Sequence, residues 1–523
     1  MQNEQMAYYI ILLILKYVTA GNEMTYVTLG IMIGMILLHR YLSTQKMEGM
    51  NQVGYFTWMP YCLIKSLPFL SKRHSLKPID DMVGAQSLID QEKFGDQYYV
   101  KSIDQTYIIC KNIHVLYILR HTFNQYTEIP LTFFFYSNGI NAFGGNIKEL
   151  VMHREDLKRV KETFDEKKFQ MLLKRMPMMM NNYWAWMKTT KPINIVDVYF
   201  KYAWDLTGML GVNVDFSLMN QRRHEQSIFA KMQELVDYEV NTIDLPYLIK
   251  VMHHTYHYKT YWDVACFGHS LANRYYSMTK EALEKDETMM AQIALNLRFY
   301  PKKQDRLNRK QFGPFILVFL YYFSEATQRA LITLTYFLAA NESVQAMMVQ
   351  EIDEVIEKNN IDMNALQPHE LLLFSYSRNV FLEGLRLCPP FFGFFQKINH
   401  AFSVDKQMFH RNEMLYLNHL AIFRQENLFG PEPKRFNPSR WDRITKPRYY
   451  RPFGLGVVED YCVHVVMSTI IHLIMNFHLT LAGNQSLGSL PISVPFSRRM
   501  QPVFVHFKRR VGRTQKKDHA KGC

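Results

Sequence analysis

The feature that most constrains this chain is a run near its middle, FILVFLYYFSEATQRALITLTYFLAA, within residues 314–340. It is apolar on nearly every face of a helix, and a helix apolar all round is a buried one. Ser324, Glu325, Thr327, Gln328 and Arg329 interrupt it near its centre. A carboxylate at the centre of such a helix is costly to bury alone, so Glu325 needs either a partner or a chemical task. Whatever fold forms must wrap its other elements round one long central helix.

The remaining pattern fits that demand. QYYVKSI, TYIICKN and later FSVD are short, half-alternating and rich in β-branched or aromatic residues, and predict strands. Longer stretches at 149–175, 196–210, 226–254 and 368–387 predict helices, the last with Pro368 at a first helical position. The chain is therefore mainly α with small β-sheets. With 48% apolar and 21% charged residues in 523, disordered and collagen-like classes are excluded. The six cysteines form no CxxC and suit neither a disulfide framework nor a zinc site. The net charge of +14 thickens towards Lys508, Arg509, Arg510, Arg513, Lys516 and Lys517. No zinc-finger spacing or RNP box accompanies it, so no nucleic-acid partner is expected, and 511–523 reads as a solvated basic tail.

Two apolar runs, residues 7–15 and 24–38, open the sequence. The second is shorter than the ~20 residues that cross a bilayer squarely, but Tyr26, His39, Arg40 and Tyr41 can extend it at the interface. Arg40 and Lys46 after it favour a cytosolic side for the rest of the chain. Residues 1–45 are thus expected to contact membrane lipid as an anchor; helices packed on the globular body are the other reading.

The final third carries the most specific signals. VFLEGLRLCPP holds Glu383 and Arg386 at i, i+3 on one face of an apolar helix, where they can pair. Then come NHLAIFRQENLFGPEPKRFNPSRW, ending at Trp441, and RPFGLGVVEDYCVH, ending at His464. In that order these segments resemble the cytochrome P450 family: an ExxR helix, a PxxFxPxRW segment, a PFGxG loop with a cysteine, and an apolar helix. FLAANESVQAMMVQEIDEVI resembles the segment after the family's long distal helix, and LPISVPFSRRMQPVFVHFKRR its closing hairpin. The resemblance implies a P450 haem domain over 46–510 behind the anchor.

It further implies roles. Glu383, Arg386 and Arg440 would form a buried triad on the haem side. Cys462 would ligate the iron of haem b, electron-rich sulfur favouring O–O cleavage. Phe453, Gly454 and Gly456 would shape the ligand loop so that peptide N–H groups approach the sulfur. Lys397 stands where the family often sets a cation against a propionate, though a solvated strand lysine is an equal reading. Glu325 stands at the family's acidic position on the distal helix.

Three departures qualify these roles. The family's loop, FGxGxRxCxG, has seven positions from Phe to Cys, whereas Phe453 to Cys462 spans nine. Either a bulge brings Cys462 to the iron, or Asp460 falls on the ligand position. Ala326 replaces the Thr that helps protonate bound oxygen, leaving Thr327 one place further round the helix. Glu325 either relays protons or pairs with Arg329 at i+4. In the early helix His153 stands where the family has Trp, with Lys158 and Arg159 beside it.

The activity expected from the resemblance is a haem-thiolate monooxygenase at the endoplasmic reticulum, its haem domain cytosolic. It would insert one oxygen atom from O2 into a lipophilic small molecule, with NADPH electrons arriving through NADPH-cytochrome P450 reductase. PMMMNNYWAWM, residues 177–187, suits a lipophilic pocket or ordinary core packing equally. Two alternatives stand beside it. One is a haem-thiolate isomerase or dehydratase, which splits no O2. The other is a catalytically degenerate binding or scaffold protein, which keeps Glu383, Arg386 and Arg440 while the ligand loop drifts.

Overall fold

The structure is a computed structural model. It describes residues 51–52, 93–101, 106–121, 127–128, 191–216, 218, 228–232, 234–235, 247–299, 309–363, 366–367, 369–391, 393–447, 450–453, 456–483, 485 and 502–510. The anchor region, the helix expected at 149–175 with His153, Lys158 and Arg159, the segment 177–187, Gly454 and the basic tail lie outside the described residues.

Along the chain run β1 (Asn51–Gln52), β2 (Gln97–Lys101), β3 (Thr106–Cys110), α1 (Ile113–His121), β4 (Thr127–Glu128) and β5 (Ile193–Asn194). Then come α2 (Ile195–Val212), α3 (Tyr247–Ser277), α4 (Lys280–Lys285), α5 (Met289–Phe299), α6 (Arg309–Ala340), α7 (Glu342–Asn359) and α8 (Ser375–Leu387). The chain continues through β6 (Gly393–Ile398), β7 (Phe402–Val404), β8 (Gln407–Phe409), β9 (Met414–Asn418), α9 (Gly456–Asn476), β10 (Phe477–Leu481) and β11 (Phe504–Arg509).

It divides into two compact units. The first holds a six-stranded sheet ordered β1-β2-β3-β9-β6-β4, and the β7–β8 hairpin. Its core includes Tyr98, Tyr99, Ile108, Ile109 and every residue of β9, all buried. Lys397 belongs to this unit, half-exposed on β6 and paired in register with Glu128 of β4.

The second unit is helical, with a three-stranded sheet β10-β11-β5. The expected central helix is α6, longer by one turn at its N-terminal end and tolerating Pro314 near its start. Phe315, Ile316, Leu317, Leu320, Ala326, Ala330, Leu331, Ile332, Leu334 and Leu338 are buried, as an all-round apolar helix requires. α2, α8, α9 and β10 pack on it. At Gly313 a Cβ would meet backbone atoms of Gly268 at 3.0 and 3.1 Å, so α3 and α6 approach closely where neither carries a side chain.

α2 shows how sequence sets the ends of an element. The Asn194 side chain accepts from Val196 N–H at its start, and Asn213 closes it in the left-handed conformation at φ 53°. The helix expected at 368–387 divides instead: a short 3-10 turn, Glu370–Leu373, precedes α8. The break is held by Glu351 of α7, whose carboxylate accepts from Tyr376 N–H, Ser377 N–H and both serine hydroxyls, capping α8 from outside.

Candidate functional site

The residues singled out in the final third converge in the second unit on two sites, one ionic and one at the crossing of α6 and α9. At the first, Glu383 is fully buried on α8. One face of its carboxylate accepts from Arg386 Nε at 2.9 Å and from the Trp441 indole N–H at 3.0 Å. The other accepts from Arg386 Nη2 at 2.9 Å, Arg440 Nε at 3.0 Å and Asn437 N–H at 3.0 Å.

The guanidiniums spend their remaining donors on main-chain carbonyls. Arg386 reaches Phe423, Pro433 and Arg435, and Arg440 reaches Phe429, Pro431, Glu432 and Arg435. One carboxylate and two cations leave an excess positive charge, which those carbonyl dipoles offset. The cluster pins an irregular segment, 423–441, onto α8. Chemically it is a closed lock, with no donor turned towards a ligand.

At the second site the ligand loop is replaced by helix. α9 begins at Gly456, so Gly456 is its first residue and Cys462 its seventh, where a loop was expected. The N–H groups beyond the first turn of a helix bond to carbonyls four residues back. Those of Cys462, Val463 and His464 are thereby committed within the helix. Cys462 is fully buried, and its Sγ lies 3.8 Å from Thr327 Oγ1 of α6.

A second contact joins the same two sides. Tyr322 of α6 donates its hydroxyl to the Phe453 carbonyl at 2.9 Å, its ring stacked on Phe391 with centroids 4.6 Å apart. Phe453 itself is buried against Phe381. Glu325 is buried in an ion pair with Arg329, Oε2 to Nε 3.0 Å, the side chains 5% and 4% exposed. Of the two readings of Glu325, relay or pair, the geometry is that of the pair.

The residues present can be tested against the haem that the resemblance implies. A haem between Thr327 and Cys462 needs a van der Waals contact of about 3.5 Å on the Thr327 face and, in addition, room for the iron–sulfur bond on the other. The two atoms are 3.8 Å apart. As placed, the two side chains do not fit the group, and the stretch from Gly456 to Cys462 lies in α9. Thr327 likewise faces the thiol rather than a groove for oxygen. Lys397 belongs to the other unit.

Sequence reasoning missed Asn437, Trp441 and the bond from Tyr322, read there only as a bulky residue in the oxygen groove, to Phe453. Only Trp441 left a signal, as the last letter of PSRW. Among the described residues there is no cluster of His, Cys, Asp and Glu able to hold a metal, and no helix long and apolar enough to cross a membrane.

The family model described as Cytochrome P450 matches residues 91–458, ending before Cys462. The guinea-pig (Cavia porcellus) cytochrome P450 3A14 is 22% identical over 311 residues, 55% of this chain and 59% of its own. A bifunctional cytochrome P450/NADPH–P450 reductase of Gibberella moniliformis is 23% identical over 288 residues, 52% of this chain and 24% of its own. The chain thus spans between about a quarter and three fifths of these curated relatives. Among solved structures, retinoic acid bound cyanobacterial CYP120A1 superposes with a TM-score of 0.63 at 15% identity, covering 81% of this chain and 93% of its own.

Proposed function

Because the chain belongs to the cytochrome P450 family, we propose that it is a P450-fold binding protein that holds a lipophilic small molecule without activating O2. The family's general chemistry is haem-thiolate mono-oxygenation, and its members generally take lipophilic substrates. What sets this chain apart is the placement of Cys462 inside α9, where the family has a ligand loop. That single observation carries the reading. A cysteine seven residues into a helix has no peptide N–H groups free to tune a thiolate. The lock round Glu383 is meanwhile complete, which holds the fold under either reading.

The second reading is the haem-thiolate monooxygenase itself, inserting one atom of O2 into a lipophilic small molecule with NADPH electrons supplied through a reductase. It is supported by the family match over 91–458 and by the relative whose name joins a P450 to a reductase. A haem-thiolate isomerase would need the same iron–sulfur bond and meets the same obstacle at Thr327 and Cys462. Under either reading, the apolar runs within residues 1–45 support attachment to a membrane, the endoplasmic reticulum with the body on its cytosolic side.

The test is the reduced, CO-bound absorption spectrum of the full chain purified from haem-supplied cells, followed by turnover with reductase and NADPH. The binding reading expects no thiolate-type Soret band, no NADPH-dependent product, and co-purifying apolar molecules detectable by extraction and mass spectrometry. A thiolate band lost in Cys462→Ala, together with turnover, establishes the monooxygenase instead.

A further inference from the structure

From the two contacts between α6 and the segment that leads into α9, we infer that a direct clamp stands where relatives keep their cofactor, and that this chain reaches its native state without haem. The inference rests on the binding reading and extends it to folding. Its first pin is Thr327 Oγ1 against Cys462 Sγ at 3.8 Å, both side chains fully buried. Its second is the Tyr322 hydroxyl donated to the Phe453 carbonyl at 2.9 Å, with the Tyr322 ring stacked on Phe391.

The pins act together. Residues 322 and 327 are about 7 Å apart along the axis of α6 at ~1.5 Å per residue. One rigid helix is therefore tied at two points to the same partner segment. Lifting α6 far enough to admit a macrocycle would break both contacts at once and strip Cys462 and Thr327 of their packing. Val465, Val466, Ile470, Leu331 and Leu334 of the same two helices are also buried.

Cys462 then serves as a small packing group with a weak hydrogen-bonding thiol, not as a ligand. The exposed Cys266 on α3 supplies an internal comparison, since its thiol is open to reagent in the folded state.

The experiment uses the full chain, expressed with and without added hemin. Haem stoichiometry, thermal unfolding with and without hemin, and native-state maleimide labelling mapped by mass spectrometry are measured together. The expected result is a cooperatively folded, haem-free protein whose unfolding temperature is the same with and without hemin. Cys462 should label at least about tenfold more slowly than Cys266, because its opening requires the clamp to part. Tyr322→Phe, which removes one pin and keeps the ring, should speed Cys462 labelling several-fold and leave Cys266 unchanged.

Stoichiometric haem with a raised unfolding temperature would overturn the inference. If that protein then failed to turn over, the binding reading would survive; if it turned over, both would fall. A haem-free protein whose Cys462 labels as fast as Cys266 would also overturn the clamp, while leaving the binding reading intact.

Discussion

Glu383→Ala is the substitution whose consequence the geometry fixes most closely. The wild-type carboxylate is fully buried and neutralises Arg386 and Arg440 while also taking the Trp441 indole and the Asn437 amide. Truncation leaves two guanidiniums buried, 0% and 5% exposed at the side chain, with carbonyl dipoles alone to solvate them. Breaking a buried pair by removing one partner costs about 3–5 kcal/mol, because the surviving charge is uncompensated. The orphaned Trp441 N–H and Asn437 N–H each add roughly 1 kcal/mol or more. Against a total stability of about 5–15 kcal/mol for a native domain, that is a large share. The assay is urea unfolding followed by far-UV circular dichroism and by tryptophan fluorescence, since Trp441 sits in the cluster. Glu383→Ala should lower the unfolding free energy by several kcal/mol at unchanged slope or prevent folding altogether. The double variant Glu383→Leu, Arg386→Met removes a charge of each sign and should recover part of the loss. If Glu383→Ala proved stable to within about 1 kcal/mol of wild type, the lock would be decorative and this reasoning refuted.

The pair on α6 is open to the same logic. Glu325→Ala should destabilise by about 3–5 kcal/mol by stranding Arg329, and Glu325→Leu with Arg329→Met should restore most of it, as a double-mutant cycle in urea would measure. A proton relay would instead show unchanged stability in Glu325→Ala. His419 sets an acid limb: it is buried, stacked on Phe423 at 5.1 Å, and burial pushes its imidazole down from 6.5 to about 4. Its neutral form is the one the fold favours, so its contribution is fully present above pH ~6.5 and is lost as pH falls towards ~4, by at most about 3 kcal/mol. His419→Gln should therefore flatten the pH dependence of the unfolding free energy across that window; an unchanged slope would show that the ring is not held neutral.

How much was legible in the sequence depends on the range of the interactions. The i, i+3 spacing of Glu383 and Arg386 and the i, i+4 spacing of Glu325 and Arg329 are local geometry, and both pairs form. The central helix announced itself by composition, since nothing but a buried helix suits such a run. Arg440 was joined to Glu383 only through the resemblance, because 57 residues separate them. The carbonyls that receive both arginines left no trace, since a main-chain acceptor has no letter of its own. The contact of Thr327 with Cys462, 135 residues apart, was likewise invisible. The helical setting of Cys462 was not foreseen for a different reason. The ligand loop's extension to Cys462 came from the family's pattern, whereas Gly454 and Gly456 are the last glycines before a long apolar stretch, and locally nothing after them breaks a helix.

The two halves of the family's haem-side architecture therefore separate in this chain. The lock round Glu383 draws its named partners from side chains and main-chain N–H and C=O groups of 383–441, so its geometry is complete without any prosthetic group. A thiolate loop has no such internal closure, because its backbone is held in an irregular path partly by the iron–sulfur bond it makes. When the sequence after Gly456 can propagate as helix, each further residue adds a main-chain hydrogen bond, and the loop has nothing equal to offer in the absence of metal. The distance between Thr327 and Cys462 then decides the chemistry. A haem bonded to Cys462 and in contact with Thr327 needs more than the 3.8 Å between them, and moving α6 away also strains the bond from Tyr322 to Phe453. On the reading proposed above, cofactor and clamp compete for the same space, and the ExxR signature on α8 is compatible with either.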